Sequence, residues 1–284
     1  MGQHYVPQQY LKGFEAPEEP GTVWTYDKDN KVLARIPIKV IAQERGYYDT
    51  VTENELSIIV EGPALRALRR LRHHEPLSVE DRARMALYAA TMMMRVPIRR
   101  RKALEMVPSI LASTVSGFRA QLEKWAQSSN VNKALVARRL SELEHAKDRF
   151  ARDPPPAVVE QIHSPWPRWQ YVDLVFSMMW RVVVTDSANR FLTSDNPAFF
   201  FEAYGLGRPE AEITFPLASD VALLMSWQGP RGRFMFVQAK PRLVGEVNRR
   251  VASGAEQFVF YHEKSQWLAT LAQKQRPFLS RIQW

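Results

Sequence analysis

The stretch Arg190-Phe191-Leu192-Thr193-Ser194-Asp195-Asn196-Pro197 decides how the second half of the chain reads. It follows an apolar, β-branched run, Val182-Val183-Val184-Thr185, and a turn cluster, Asp186-Ser187-Ala188-Asn189. Two strand-like runs separated by turn residues predict a β-hairpin with 190–194 as its second strand. That strand ends in three hydrogen-bonding side chains, closed by Pro197, whose ring fixes the backbone at the exit. Rigid strand ends of this kind are where loops carry functional groups. The same spacing also fits an Asx-turn, in which Asp195 and Asn196 cap their own backbone.

Downstream, 213–215, 221–227 and 234–238 read as further strands, the last two joined by the turn Gln228-Gly229-Pro230-Arg231-Gly232. Pro241 suits the first turn of a helix carrying Asn248, before the strand Phe258-Val259-Phe260-Tyr261 and a closing helix. Upstream, the apolar run 172–180 reads as a helix, and Asp153-Pro154-Pro155-Pro156 as a stiff break. The break divides the chain into 1–152, with an N-terminal hairpin and helices, and 153–284, an α+β part carrying the 193–197 loop. The two parts are expected to form one compact unit.

The first half opens on His4-Tyr5-Val6-Pro7-Gln8-Gln9-Tyr10-Leu11, dense in aromatics and hydrogen-bonding groups. Left in solvent, Tyr5, Val6, Tyr10, Leu11 and Phe14 would expose apolar area, so this terminus should be tied down. The runs 23–26 and 32–36, joined by Asp27-Lys28-Asp29-Asn30, predict a hairpin, and 46–49 a loop or short strand. From Asn54 the apolar period becomes helical, with Pro63 forcing a kink or restart and Arg66, Arg69, Arg70 and His73 on the opposite face. Ser78 caps a further helix whose segment 85–94 is apolar all round, the mark of a buried central helix. It stops at Arg95, two residues before Pro97. Long helices follow over 99–127 and 131–152, the second an antiparallel partner. Helices between strands at both ends make this an α+β fold, a central helical bundle flanked by one mainly antiparallel sheet.

Composition narrows the chemistry. With no cysteine among 284 residues, disulfides, thiolate catalysis and cysteine-ligated zinc are excluded, which suits a reducing, cytoplasmic setting. The N-terminus has neither a basic region nor an apolar core, so no secretory signal is expected. The run 85–94 is far too short to span a bilayer, so no membrane partner is expected. A net charge of +9 points to an anionic partner, nucleic acid first among them. The cluster Arg99-Arg100-Arg101-Lys102 is either a solvated helix start or a phosphate contact. Trp166 and Trp169 could stack on bases, or plug the core beside their prolines. His73 and His74 are adjacent, so their rings diverge on a helix and do not read as a metal pair. No Walker loop, dinucleotide fingerprint, His-Glu-x-x-His or nucleophile elbow is present.

His-Tyr-Val-Pro-Gln-x-Tyr-Leu-x-x-Phe at the start, Arg95-Val96-Pro97 in the middle, Phe-x-Thr-Ser-Asp-Asn-Pro from Phe191 and Asn248 near the end resemble a bacterial and phage domain-of-unknown-function family with an HYVPQ motif. The resemblance covers almost the whole chain. Gln9 stands where an aromatic is frequent in similar sequences. Carried over motif by motif, it marks His4, Pro7, Gln8, Glu61, Arg95, Ser194, Asp195, Asn196 and Asn248. Such a set could run general acid–base hydrolysis, with His4, Asp195 and Glu61 catalytic and Gln8, Arg95, Ser194, Asn196 and Asn248 binding substrate. Arg95 would hold a phosphate, and Asp195 with Glu61 could take a divalent cation such as magnesium. The expected function is a nuclease-like hydrolase of a phosphate-containing substrate, in phage–host conflict. The alternative is a non-catalytic module that binds nucleic acid or protein, its polar cluster a structural network. The sharpest expectation places His4 and Ser194-Asp195-Asn196 in one open pocket with Arg95 at its wall.

Overall fold

Tyr5, Val6, Tyr10, Leu11 and Phe14 are all buried, so the N-terminal segment is tied down as its aromatics predict. In the computed structural model, which describes residues 2–128, 131–186, 188–201, 205–273 and 282, the chain forms two units. One comprises 1–97 with 165–284, and the other 98–164. The break Asp153-Pro154-Pro155-Pro156 thus falls inside the second unit.

The first unit begins with β1 (Gln3–His4), α1 (Gln8–Leu11), β2 (Thr22–Asp27), β3 (Val32–Pro37) and β4 (Gln43–Glu44). The β2–β3 hairpin forms as expected, because Asp27 Oδ1 accepts the Asp29 and Asn30 amides and closes the turn locally. A helix α2 (Thr50–Glu55), capped by Asp49, runs through a π-helical turn (Leu56–Glu61) into α3 (Gly62–Arg72). Pro63 sits in the first turn of α3, where a missing N–H leaves no bond unmade. Then comes α4 (Val79–Met94), with Ser78 Oγ accepting the Asp81 amide at 3.0 Å. Of residues 85–94 all but Leu87 and Met94 are buried, as an all-apolar surface requires. Its packing neighbours are α3 and the helix after residue 165 described below.

The second unit contains α5 (Pro97–Ala126, in which Pro108 lies mid-helix), α6 (Lys133–Arg152) and α7 (Pro156–His163). Arg119 of α5 meets Glu144 of α6 at 3.2 Å, and among the described residues of these helices Val115 and Val136 alone are buried.

The chain returns to the first unit through α8 (Trp169–Ser177), β5 (Met179–Val184), β6 (Thr193–Ser194), β7 (Phe199–Phe200), β8 (Glu212–Ala218), β9 (Val221–Ser226) and β10 (Phe234–Gln238). It closes with α9 (Pro241–Gly254), β11 (Phe258–Tyr261) and α10 (Trp267–Gln273). The helix expected over 172–180 therefore ends at Ser177, and Trp180 is the buried second residue of a central strand. One buried guanidinium fixes that corner. Arg82 of α4 donates to the Phe176, Met178 and Arg233 carbonyls and lies 4.3 Å over the Trp180 ring. Burial pushes its pKa down to about 10.

The fold is α+β, but the strands after residue 182 form two sheets, not one. The larger has the order β10-β5-β9-β8-β7, with β10 parallel to β5; the smaller, β3-β2-β11-β6, is antiparallel throughout. The hairpin expected over 182–194 does not form. Thr193 and Ser194 pair instead with Phe260 and Val259 of β11, while β5 pairs with β9 and β10. Between them the chain crosses from sheet to sheet, its amides taken by Ser219 O (from Phe191, 2.7 Å) and Asn248 Oδ1 (from Leu192, 3.0 Å). Ser187 of the intervening turn lies outside the described residues. Among the described residues no helix is long and apolar enough to cross a membrane.

Candidate functional site

Most of the residues marked in the sequence gather into two groups. The first is built around Arg95, the residue that ends α4 because its amide still bonds Thr91 O while Pro97 forbids another turn. Its guanidinium is 1% exposed and reaches back to the π-helical turn, where Nη1 donates to Glu61 Oε1 at 2.6 Å. Nη2 donates to the backbone carbonyl of His4 at the end of β1. The Arg95 carbonyl in turn accepts the hydroxyls of Tyr47 (2.8 Å) and Tyr48 (3.1 Å), and the Tyr48 ring lies 5.9 Å from the guanidinium. Arg95 therefore clamps β1, the 47–48 loop and the π-helical turn together. Its two terminal nitrogens are taken, which corrects the expectation that it holds a substrate phosphate.

Around this clamp three polar atoms are shut from solvent with no hydrogen-bond partner: His4 Nε2, Glu53 Oε2 and Arg95 Nε. Buried polar groups are nearly always paired, so three at one place mark a poised site or stored strain. Burial lowers the His4 pKa, with Arg95 adding to the shift and the Lys39 backbone and Glu61 opposing it. Burial raises the Glu53 carboxyl, Glu61 adding and Arg95 opposing. Glu61 keeps 26% of its side chain exposed, so solvent reaches the edge of the group. A π-turn inside a helix widens it locally, and such turns recur at functional sites.

The second group is a lock. Asp195 is 3% exposed and accepts three backbone amides: Glu256 on Oδ1 at 2.9 Å, and Gln257 and Phe258 on Oδ2 at 2.6 and 2.8 Å. Burial pushes its carboxyl up to about 6, while the three amides act to hold it down. Ser194 Oγ accepts the Asn196 amide, and Asn196 Nδ2 donates to Gly254 O at 2.9 Å. Asn248 donates to Arg190 O and accepts from Leu192, so it splices α9 to the crossing segment. Every one of these side chains is spent on backbone, the larger-scale version of the Asx-turn reading.

Asp195 is thus not available to orient His4, and the expectation of one open pocket is corrected to two groups bridged by the N-terminal segment. Tyr10 Oη bonds Thr193 Oγ1 at 2.7 Å, and burial followed by the Asp195 charge pushes the Tyr5 phenol up. Gln8 is exposed at the start of α1, and no hydrogen bond among the described residues ties its side chain to either group. Among the described residues no three His, Asp or Glu side chains gather as a metal site; of the Asp195–Glu61 pair expected to take a cation, Asp195 has both oxygens on backbone amides and Glu61 faces Arg95.

A family model described as "Protein of unknown function (DUF4238)" matches residues 2–265. The chain belongs to that family. The match takes in both groups of residues, and no curated protein or solved structure matches the chain.

Two features of this DUF4238 protein escaped sequence reasoning. Glu53 lies two helical turns before Glu61, a spacing that brings both to one side of a helix and could have drawn attention. The pair Glu212–Arg250, at 2.9 Å and almost fully buried, carries no local signal because its members come from a strand and a helix far apart in the chain.

The lowered His4 pKa has a consequence for stability. Below about pH 6.5 the unfolded chain takes up this proton first, since its imidazole titrates nearer that ordinary value. Stability is therefore complete above this range and declines as the pH falls through it. His4→Gln should flatten the decline, with His262, also lowered by burial, supplying the remainder. Urea melts of both proteins between about pH 5 and pH 7.5 check this, and parallel slopes would refute it.

Proposed function

We propose that the protein is a hydrolase of phosphate esters, with nucleic acid as its substrate class, and that its acid–base centre is the group around Arg95. The observation that carries this reading is the convergence of His4 Nε2, Glu53 Oε2 and Arg95 Nε, all buried and unpartnered, from β1, α2 and the end of α4. The opposed shifts of His4 and Glu53 divide the labour: burial favours the neutral imidazole, which would take a proton from water, and favours the protonated Glu53 carboxyl over its usual balance, which would give one to the departing oxygen. Water adds to phosphorus as the ester P–O bond breaks, and the proton count balances. Arg95 is a positioning residue here, holding His4 and Glu61 in place. The +9 charge supports a polyanionic substrate.

Turnover of single-stranded RNA, single-stranded DNA, duplex DNA and bis(p-nitrophenyl) phosphate tests the proposal. His4→Gln and Glu53→Gln should each lower kcat by roughly 10²–10⁴-fold, with melting temperatures close to wild type. Wild-type protein inert on all four substrates, or full activity in either variant, overturns it. The sealed Asp195 network favours a second reading, a non-catalytic module that binds nucleic acid; salt-sensitive binding without turnover would establish that instead.

A further inference from the structure

A separate cleft of about 340 Å³ opens between the face of α9, the crossing segment at Arg190 and the C-terminal elements from Tyr261 to Trp267. Its floor contains Gly245. Glycine inside a helix weakens it, and such a residue usually has a packing reason. Here a Cβ at this position would meet no atom of the described residues within 4 Å. The missing side chain keeps space open that the fold itself does not use. One wall carries Arg190, whose Nη1 donates to Thr185 O at 2.8 Å and whose carbonyl accepts from Asn248, with no further guanidinium hydrogen bond among the described residues. Arg249, paired with Glu246 and 38% exposed, brings a second guanidinium to the rim. The far wall holds the Trp267 indole, 42% exposed and braced edge-on by Tyr261 at 5.1 Å, together with the Glu263 carboxylate.

We infer that this cleft binds a single nucleotide. The base stacks on Trp267, which every base can do through its π-face. The phosphate lies on Arg190 and Arg249, whose planar donors match its oxygens. Glu263 accepts from the sugar hydroxyls. The volume falls at the lower end of ligand pockets, enough for one nucleotide and too little for several side by side. The occupant is either a free mononucleotide or one nucleotide of a longer strand, since both present the same groups. The inference does not depend on the acid–base reading of the His4 group, whose residues take no part in the cleft.

Calorimetric titration with AMP, GMP, CMP and UMP, and with four-residue RNA and DNA strands, tests it in wild-type protein and in His4→Gln. Both proteins should bind alike, so failure of the hydrolase proposal leaves this result standing. Gly245→Leu fills the floor with a better helix former, and it should weaken binding at least tenfold while the melting temperature stays level or rises. Gly245→Ala should do the same to a smaller extent, and Trp267→Leu should weaken binding about as much as the leucine variant. Tighter binding of strands than of mononucleotides identifies a strand as the natural occupant; equal affinities identify the free nucleotide. Wild-type protein that takes up neither at millimolar concentration, or Gly245→Leu that binds as wild type, overturns the inference.

Discussion

Asp195→Ala is expected to destabilise the protein by roughly 3–5 kcal/mol, from three half-buried N–H groups losing their acceptor at about 1–3 kcal/mol each with partial rehydration. Glu256, Gln257 and Phe258 lead into β11, and the same Asp195 gives its own amide to Phe258 O at 3.0 Å. Removing the carboxylate thus unpins the strand that joins β2 to β6 in the smaller sheet. Asp195→Asn separates this account from simple loss of packing. It preserves volume but replaces one acceptor by an N–H₂ group facing backbone donors, so its cost should approach that of alanine. Urea denaturation at about pH 7.5, where the carboxyl is ionised, measures both. An asparagine variant within about 1 kcal/mol of wild type would mean that the amides do not need the second oxygen.

Arg250→Met should cost a similar amount, roughly 3–5 kcal/mol, because it strands the Glu212 carboxylate in the interior. The pair is buried on both sides, 1% and 4% exposed at the side chains, and Arg250 also touches Thr214 Oγ1 at 3.2 Å and Glu246 at 3.7 Å. Glu212 retains the Gln228 amide and the Ile282 N–H, each at 3.1 Å, but neither carries a charge. The double variant Arg250→Met with Glu212→Gln removes the orphaned charge and keeps one of those two bonds, because the donors sit on different oxygens and an amide offers only one acceptor. It should be more stable than Arg250→Met alone, the opposite of additive loss. Additive costs in a double-mutant cycle would show that the two groups do not depend on each other.

Features specified by neighbouring residues were legible in the sequence. Asp27 closes the β2–β3 turn through amides two and three residues away, and Ser78 caps α4 three residues ahead. The apolar circumference of 85–94 dictates burial wherever the helix packs, and the N-terminal aromatics require a docking surface whatever its identity. The group around Arg95 was half legible. His4, Glu61 and Arg95 were each marked, yet Glu53 and the clamp geometry were not, because the bonds to Arg95 span up to 91 residues.

The apolar, β-branched run at 182–185 marked one strand and 190–194 a second, and the turn residues between them marked a reversal. None of this could determine their partners. A strand presents the same donors and acceptors to any neighbour, and here the choice fell to β11, more than sixty residues away, because the Asp195 carboxylate bonds that region's backbone while Asn248 of α9 holds the crossing segment at Arg190 and Leu192. Nor could the sequence say whether Asp195, expected to catalyse, and Asn196 and Asn248, expected to bind substrate, would bond the backbone as they do. A carboxylate in solvent and one surrounded by three backbone amides are the same residue in sequence, and only the tertiary fold supplies the amides.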